Sequence, residues 1–119
     1  MTSSTLNIRI DQIKQLQEIY TFKDRERGEV LQFIEKYPFL MPLLLEAPDK
    51  VREFFPDAGL ALKVNIDPES YSEESDDLLL LIKSDIDPEE SVDILEELDY
   101  AWWTKVEHLS QGKMLTDLA

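Results

Sequence analysis

Carboxylates are the chemical groups this chain has most of. Ile66, Asp67, Pro68, Glu69, Ser70 and Ile86, Asp87, Pro88, Glu89, Glu90, Ser91 repeat one pattern, each after an apolar, strand-like run, with Asp85 just before the second. Acids converging at strand ends are hard oxygen donors suited to Mg²⁺ or Ca²⁺. The alternating Asp-x-Asp-x-Asp-Gly order of a calcium loop is missing, however, and Asp followed by Pro and Glu is also how a turn or a helix N-terminus is built. Capping explains the repeat, and no metal ligand is assigned.

Asp99 stands apart from these acids. Helical spacing sets it among Leu95, Trp102, Trp103 and Val106, where loss of water raises a carboxyl pKa and creates a candidate general acid or base. No second acid, serine or histidine is spaced to join it on that helix. It is therefore expected to accept a hydrogen bond from an indole N–H or to meet a lysine from another element. His108, the only histidine, falls on the polar face of the same helix. The chain has no cysteine, which excludes thiolate zinc sites, disulfides and thiol nucleophiles. Its three glycines, Gly28, Gly59 and Gly112, are too far apart to make a phosphate loop. No catalytic residue and no cofactor is assigned.

The elements that must position these groups follow from periodicity. Ile10, Ile13, Leu16, Ile19 and Tyr20 predict a short helix over 11–21, and Val30, Phe33, Ile34 and Tyr37 a second over 25–37, stopped by Pro38. Residues 39–55 are helical by spacing, with Pro48 expected to kink or split them. After the turn residues Pro56, Asp57, Ala58 and Gly59 the period changes to two. Leu60, Leu62, Val64 and Ile66 alternate with more polar neighbours, as a strand with one wet face does. Leu78 to Ile82 is apolar throughout, which predicts a strand covered on both faces. Asp87 and Pro88 open the longest helix, whose apolar stripe is Val92, Leu95, Leu98, Trp102, Val106 and Leu109.

The expected fold class is α+β: helices at the N-terminus, a small antiparallel sheet, and a long C-terminal amphipathic helix. Two strands alone are marginal, so the sheet is completed by a third strand, with Leu6, Ile8 and Ile10 as the candidate, or by a dimer mate. At 119 residues this is one domain, within which residues 1–24 are a candidate semi-independent segment and residues 113–119 a flexible tail. Met1 to Thr5 is polar and no apolar run approaches membrane length, so the expectation is a soluble, cytoplasmic protein.

Charge points to partners. The sequence has 26 acidic and 12 basic residues, a formal net charge of −14. Residues 1–27 are nearly balanced, with a net of +1, which leaves −15 to residues 28–119. Such a body repels phosphate backbones and anionic lipid and attracts basic proteins. Large aromatics on the last helix give it an edge to bind with: Tyr100 and Trp103, beside Asp93, Glu96 and Glu107, are the expected partner-binding residues.

The N-terminal stretch Leu6 to Tyr37 also reads as strand, helix, link, helix. That order resembles ribbon-helix-helix DNA-binding modules, whose outward strand residues, here Asn7 and Arg9, reach into the major groove from a dimer. The resemblance implies DNA contacts from Arg9, Lys14 and Arg25. The charge division is similar to that of small bacterial antitoxins, which join such a module to an acidic toxin-binding region. Lys23, Asp24 and Arg25 stand where such modules have a serine-rich helix start.

A second resemblance covers residues 30–105. Tyr37-Pro38-Phe39-Leu40-Met41-Pro42-Leu43-Leu44-Leu45-Glu46-Ala47, then Val51-Arg52-Glu53-Phe54-Phe55-Pro56-Asp57-Ala58, and the late Trp102-Trp103 pair are similar to small, acidic, uncharacterised bacterial proteins. It implies no activity. Three readings stand on the sequence. The first is a non-enzymatic, homodimeric interaction protein with a basic partner. The second is an antitoxin-like regulator, and the third is a carboxylate or metal-dependent enzyme built on Asp67, Asp85, Asp87 or Asp99.

Overall fold

The structure, a computed structural model, describes residues 10–22, 24–66 and 76–119. In chain order the elements are α1 (Ile10–Ile19), α2 (Asp24–Lys36), α3 (Leu40–Phe54), β1 (Gly59–Asn65), β2 (Asp77–Lys83), α4 (Pro88–Leu98) and β3 (Met114–Leu118). The last helix continues beyond α4 through a π turn at Asp99–Trp103, one α turn at Thr104–Val106 and a 3-10 turn at Glu107–Ser110. The fold class is α+β, with the long C-terminal helix in place.

The chain turns from α2 into α3 at Pro38, which has no N–H to extend α2. Leu40 and Met41 donate their N–H groups back to Tyr37 and Pro38 carbonyls at 3.0 and 3.1 Å, so the start of α3 is satisfied by the turn itself. Pro42 falls in the first turn of α3, where no intrahelical donor is required. Pro48 sits deeper. It was expected to kink or split this segment, yet α3 runs unbroken from Leu40 to Phe54.

The reason is a substitute donor. A proline at position 48 leaves the carbonyl of Leu44, four residues back, without its helical N–H. The hydroxyl of Tyr20, from the end of α1, donates to that carbonyl at 2.6 Å in a buried contact. Burial also pushes the Tyr20 phenol above its ordinary pKa, against a smaller opposing pull from Arg52, so it remains a donor well into alkaline conditions. Leu16 of α1 and Tyr20 just after it belong to the same core as Val30, Leu44, Leu80 and Trp102. The described part of residues 1–24 is thus built into the core rather than standing apart from it.

One residue further on, Thr21 meets the sheet. Its N–H donates to Leu60 O at 2.9 Å and its carbonyl accepts from Leu62 N at 3.2 Å, which caps the outer edge of β1. The strand order is β1-β2-β3, with β1 antiparallel and β3 parallel to β2. Two sequence expectations are corrected here. The sheet is mixed rather than antiparallel, and residues 113–119, read as a flexible tail, supply the third strand. Of the candidate third strand over residues 6–10, Ile10 opens α1, and Leu6 to Arg9 lie outside the described residues. A parallel neighbour for β2 needs a long crossover, which α4 and its continuation provide. The return is made by Gln111 and Gly112, both with left-handed backbone (φ 52° and 75°).

Burial alternates along β2. Leu78, Leu80 and Ile82 are fully buried, while Leu79 and Leu81 are only half-buried, so the five-residue apolar run is covered on one face and not on both. The covered face also carries Leu60, Leu62 and Met114, and it receives the helices.

The substitute hydrogen bond generates a test. Tyr20→Phe leaves the Leu44 carbonyl buried without a donor and should cost about 1–3 kcal/mol in urea unfolding. Pro48→Ala returns a helical N–H to that carbonyl, so the double variant Tyr20→Phe/Pro48→Ala should recover much of the loss. Equal losses in the single Tyr20→Phe variant and the double variant would show that the bond is not what satisfies the helix.

Candidate functional site

The last helix begins with a built-in N-terminus. Asp87 accepts from Glu89 N–H at 3.1 Å, Pro88 takes the first helical position, and Glu89 and Glu90 complement the positive end of the dipole. The second Asp-Pro-Glu segment is therefore a helix cap. Asp67 and Glu69 of the first lie outside the described residues. Asp85 is exposed in the turn before the cap, and Asp99 lies twelve residues beyond Asp87, about 18 Å along a helix. Among the described residues no group of three side chains able to hold a metal ion occurs.

Down the inner face of α4 run Ser91 and Leu98, with Trp102 continuing the line beyond it, all buried and flanked by half-buried Ile94 and Leu95. Ser91 is satisfied there by donating from its hydroxyl to Ile86 O at 3.1 Å. At about 100° per residue Val92 falls roughly a quarter turn off this line, which is why it is exposed although the sequence placed it on the stripe. Leu109, on the same predicted stripe, is also exposed. The helix changes pitch before it, first to π and then to 3-10, and the register that would have turned it inward is lost.

The π turn has a second effect. Its i to i+5 closure brings the fifth residue after Leu98 round to the face Leu98 occupies. Trp103 is therefore buried at 6% exposure beside Trp102, the two rings tilted with centroids 5.6 Å apart. This corrects its assignment as a partner-binding residue. Trp102 donates its indole N–H to Glu46 of α3 at 2.9 Å, and not to Asp99 as expected. Asp99 instead accepts from the Thr116 hydroxyl of β3 at 3.2 Å. Neither Glu46 nor Thr116 was singled out in the sequence, Thr116 because the tail was not read as a strand.

On the outer face the arrangement is different. Glu89, Asp93, Glu96 and Tyr100 fall within one narrow sector opposite Ser91 and Leu98, all exposed, with Tyr100 the most open at 81%. Glu107 is exposed further along, and His108 beside it faces solvent as predicted. From Asp87 to Glu107 there are eight acids and a single base, Lys105. Asp93 has a like charge at i−4 in Glu89, at i+3 in Glu96 and at i+4 in Glu97, spacings that each cost a helix a few tenths of a kcal/mol. Of the residues expected to contact DNA, Lys14 is exposed on α1, Arg25 lies in α2, and Arg9 is outside the described residues.

Asp99 marks where this outer ridge meets the sheet edge. Desolvation raises its pKa above the ordinary carboxyl value; the Thr116 hydrogen bond pulls it down, and the neighbouring charges of Glu107, Asp117 and Glu96 push it up. No family model, curated protein or solved structure matches this chain.

Because the Asp99 pKa is higher folded than unfolded, the native state holds the proton more tightly, and its contribution to stability declines as pH rises above the ordinary carboxyl range. Asp99→Asn keeps an acceptor for Thr116 and removes a charge among Glu96, Glu107 and Asp117. It should raise the melting temperature near neutral pH, with the gain shrinking on acidification. A gain that does not change with pH would mean that the ionisation of Asp99 is not its source.

Proposed function

We propose that this chain is a non-enzymatic interaction protein that binds a basic partner through the outer ridge of its last helix, with Tyr100 as the central contact and Asp93, Glu96 and Glu107 around it. The observation that carries the reading is Tyr100 itself: a large aromatic side chain, 81% exposed, set in a row of mutually repelling carboxylates. Aromatics of this kind are the usual anchors of interfaces, and a fold that tolerates like charges at helical spacing gains most when a cationic partner relieves them. Steering by such a field gives fast association that weakens with salt. The same reading takes the protein to be a cytoplasmic homodimer. Among the described residues no helix is long and apolar enough to cross a membrane.

Tyr100→Ala and Glu96→Lys leave the core untouched, since both side chains point away from it. Full-length protein immobilised and exposed to extract from the source cell should retain a basic protein at low salt and release it at high salt. Tyr100→Ala should weaken retention by roughly tenfold or more, as expected for an interface hot spot. A captured protein that binds Tyr100→Ala and Glu96→Lys as tightly as wild type would move the site elsewhere.

A further inference from the structure

The helices lie on one face of the sheet and leave the other without a partner among the described residues. α2 meets β1 through Phe33 beside Val64, and the last helix meets β3 through Asp99 and Thr116; both strand residues belong to the covered face. The opposite face is set by the register. Ala61, Leu81 and Asp117 form one row across the three strands, and Lys63, Leu79 and Leu115 the next, with Lys83 and Asp77 at the ends of β2. Leu79 and Leu81 are half-buried and Leu115 is 42% exposed.

Charge singles this face out. The body of the chain is strongly negative, so two copies meeting on most of its surface would oppose like charges. Here Lys63 and Lys83 balance Asp77 and Asp117 around an apolar centre. The signs are also separated: Lys63 is on β1 at one edge, and Asp117 is on β3 at the other. A two-fold axis parallel to the strands would stack β1 of one copy over β3 of its mate and bring Lys63 diagonally opposite the partner's Asp117, twice by symmetry.

We infer that this open sheet face is the homodimer interface, with Leu79, Leu81 and Leu115 packed across the axis and two Lys63–Asp117 pairs closing its edges. This deepens the homodimer reading above and rests on it. Strands of seven, seven and five residues make a plate of about 20 by 14 Å, so two plates bury roughly 600–900 Å² in total. That is below the size of a permanent interface, so the dimer is a weak and reversible one.

Sedimentation equilibrium of the full chain over roughly 5–200 μM tests this. Wild type should fit a monomer–dimer equilibrium, strengthened by salt as the overall repulsion is screened, the reverse of the salt response at the Tyr100 ridge. Leu115→Glu should be monomeric across the range, with an unchanged near-ultraviolet signal from Trp102 and Trp103 reporting an intact fold. Lys63→Glu and Asp117→Lys should each weaken the dimer by about tenfold or more, and Lys63→Glu/Asp117→Lys should restore it. A wild-type chain that stays monomeric overturns both the dimer and this face. A dimer indifferent to Leu115→Glu and to the charge reversals overturns the face while leaving the dimer standing.

Discussion

A single hydroxyl resolves the main conflict in this sequence. Pro48 is in the middle of a helix that the core requires, and a proline there leaves one carbonyl orphaned among apolar side chains. Tyr20 answers that carbonyl from outside the helix, and in doing so fixes where α1 ends. Its neighbour Thr21 is then positioned to take both backbone bonds along the edge of β1. Helix α3, the docking of α1 and the closure of one sheet edge therefore share one interaction. Because the phenol is buried, the donor it provides is not one that water can easily replace.

Much of this architecture was legible. Periodicity located all four helices and both hairpin strands, and the Asp87-Pro88 cap could be read residue by residue, because each of these signals is local. The continuity of α3 past Pro48 was not legible, since the donor for its orphaned carbonyl comes from 24 residues earlier in the chain. Nor was β3. Met114, Thr116 and Leu118 turn inward, but Leu115 lies between two of them, so the run shows no clean alternation until β2 is known to lie beside it. The outer ridge was visible apart from Trp103. Its burial depends on a π turn, and a regular helical wheel of about 100° per residue cannot anticipate that change of pitch.

Among the described residues, the outer helix ridge and the sheet face turned away from the helices are opposite in character. The helix ridge concentrates charge at spacings that repel, with an aromatic ring in the midst of it. The sheet face is nearly neutral and apolar, and its charged residues are sorted by sign to opposite edges. In a chain of net charge −14 the first is where the proposed basic partner would sit and the second where the inferred second copy would pack. Asp99 is held between the two, hydrogen-bonded to a strand residue and surrounded by the acids of helix and sheet edge.

The left-handed return at Gln111 and Gly112 has a consequence for how the chain reaches this state. β2 gains its second neighbour only after the entire last helix has formed or been bypassed, because β3 follows it in sequence. Until then one side of an apolar central strand lies bare, and pairing of that range is slow compared with the local hairpin of β1 and β2. During synthesis on the ribosome the sheet cannot close until Met114 to Leu118 has left the exit tunnel. Met114 to Leu118 thus cover the second edge of an apolar central strand that would otherwise be open to neighbouring nascent chains.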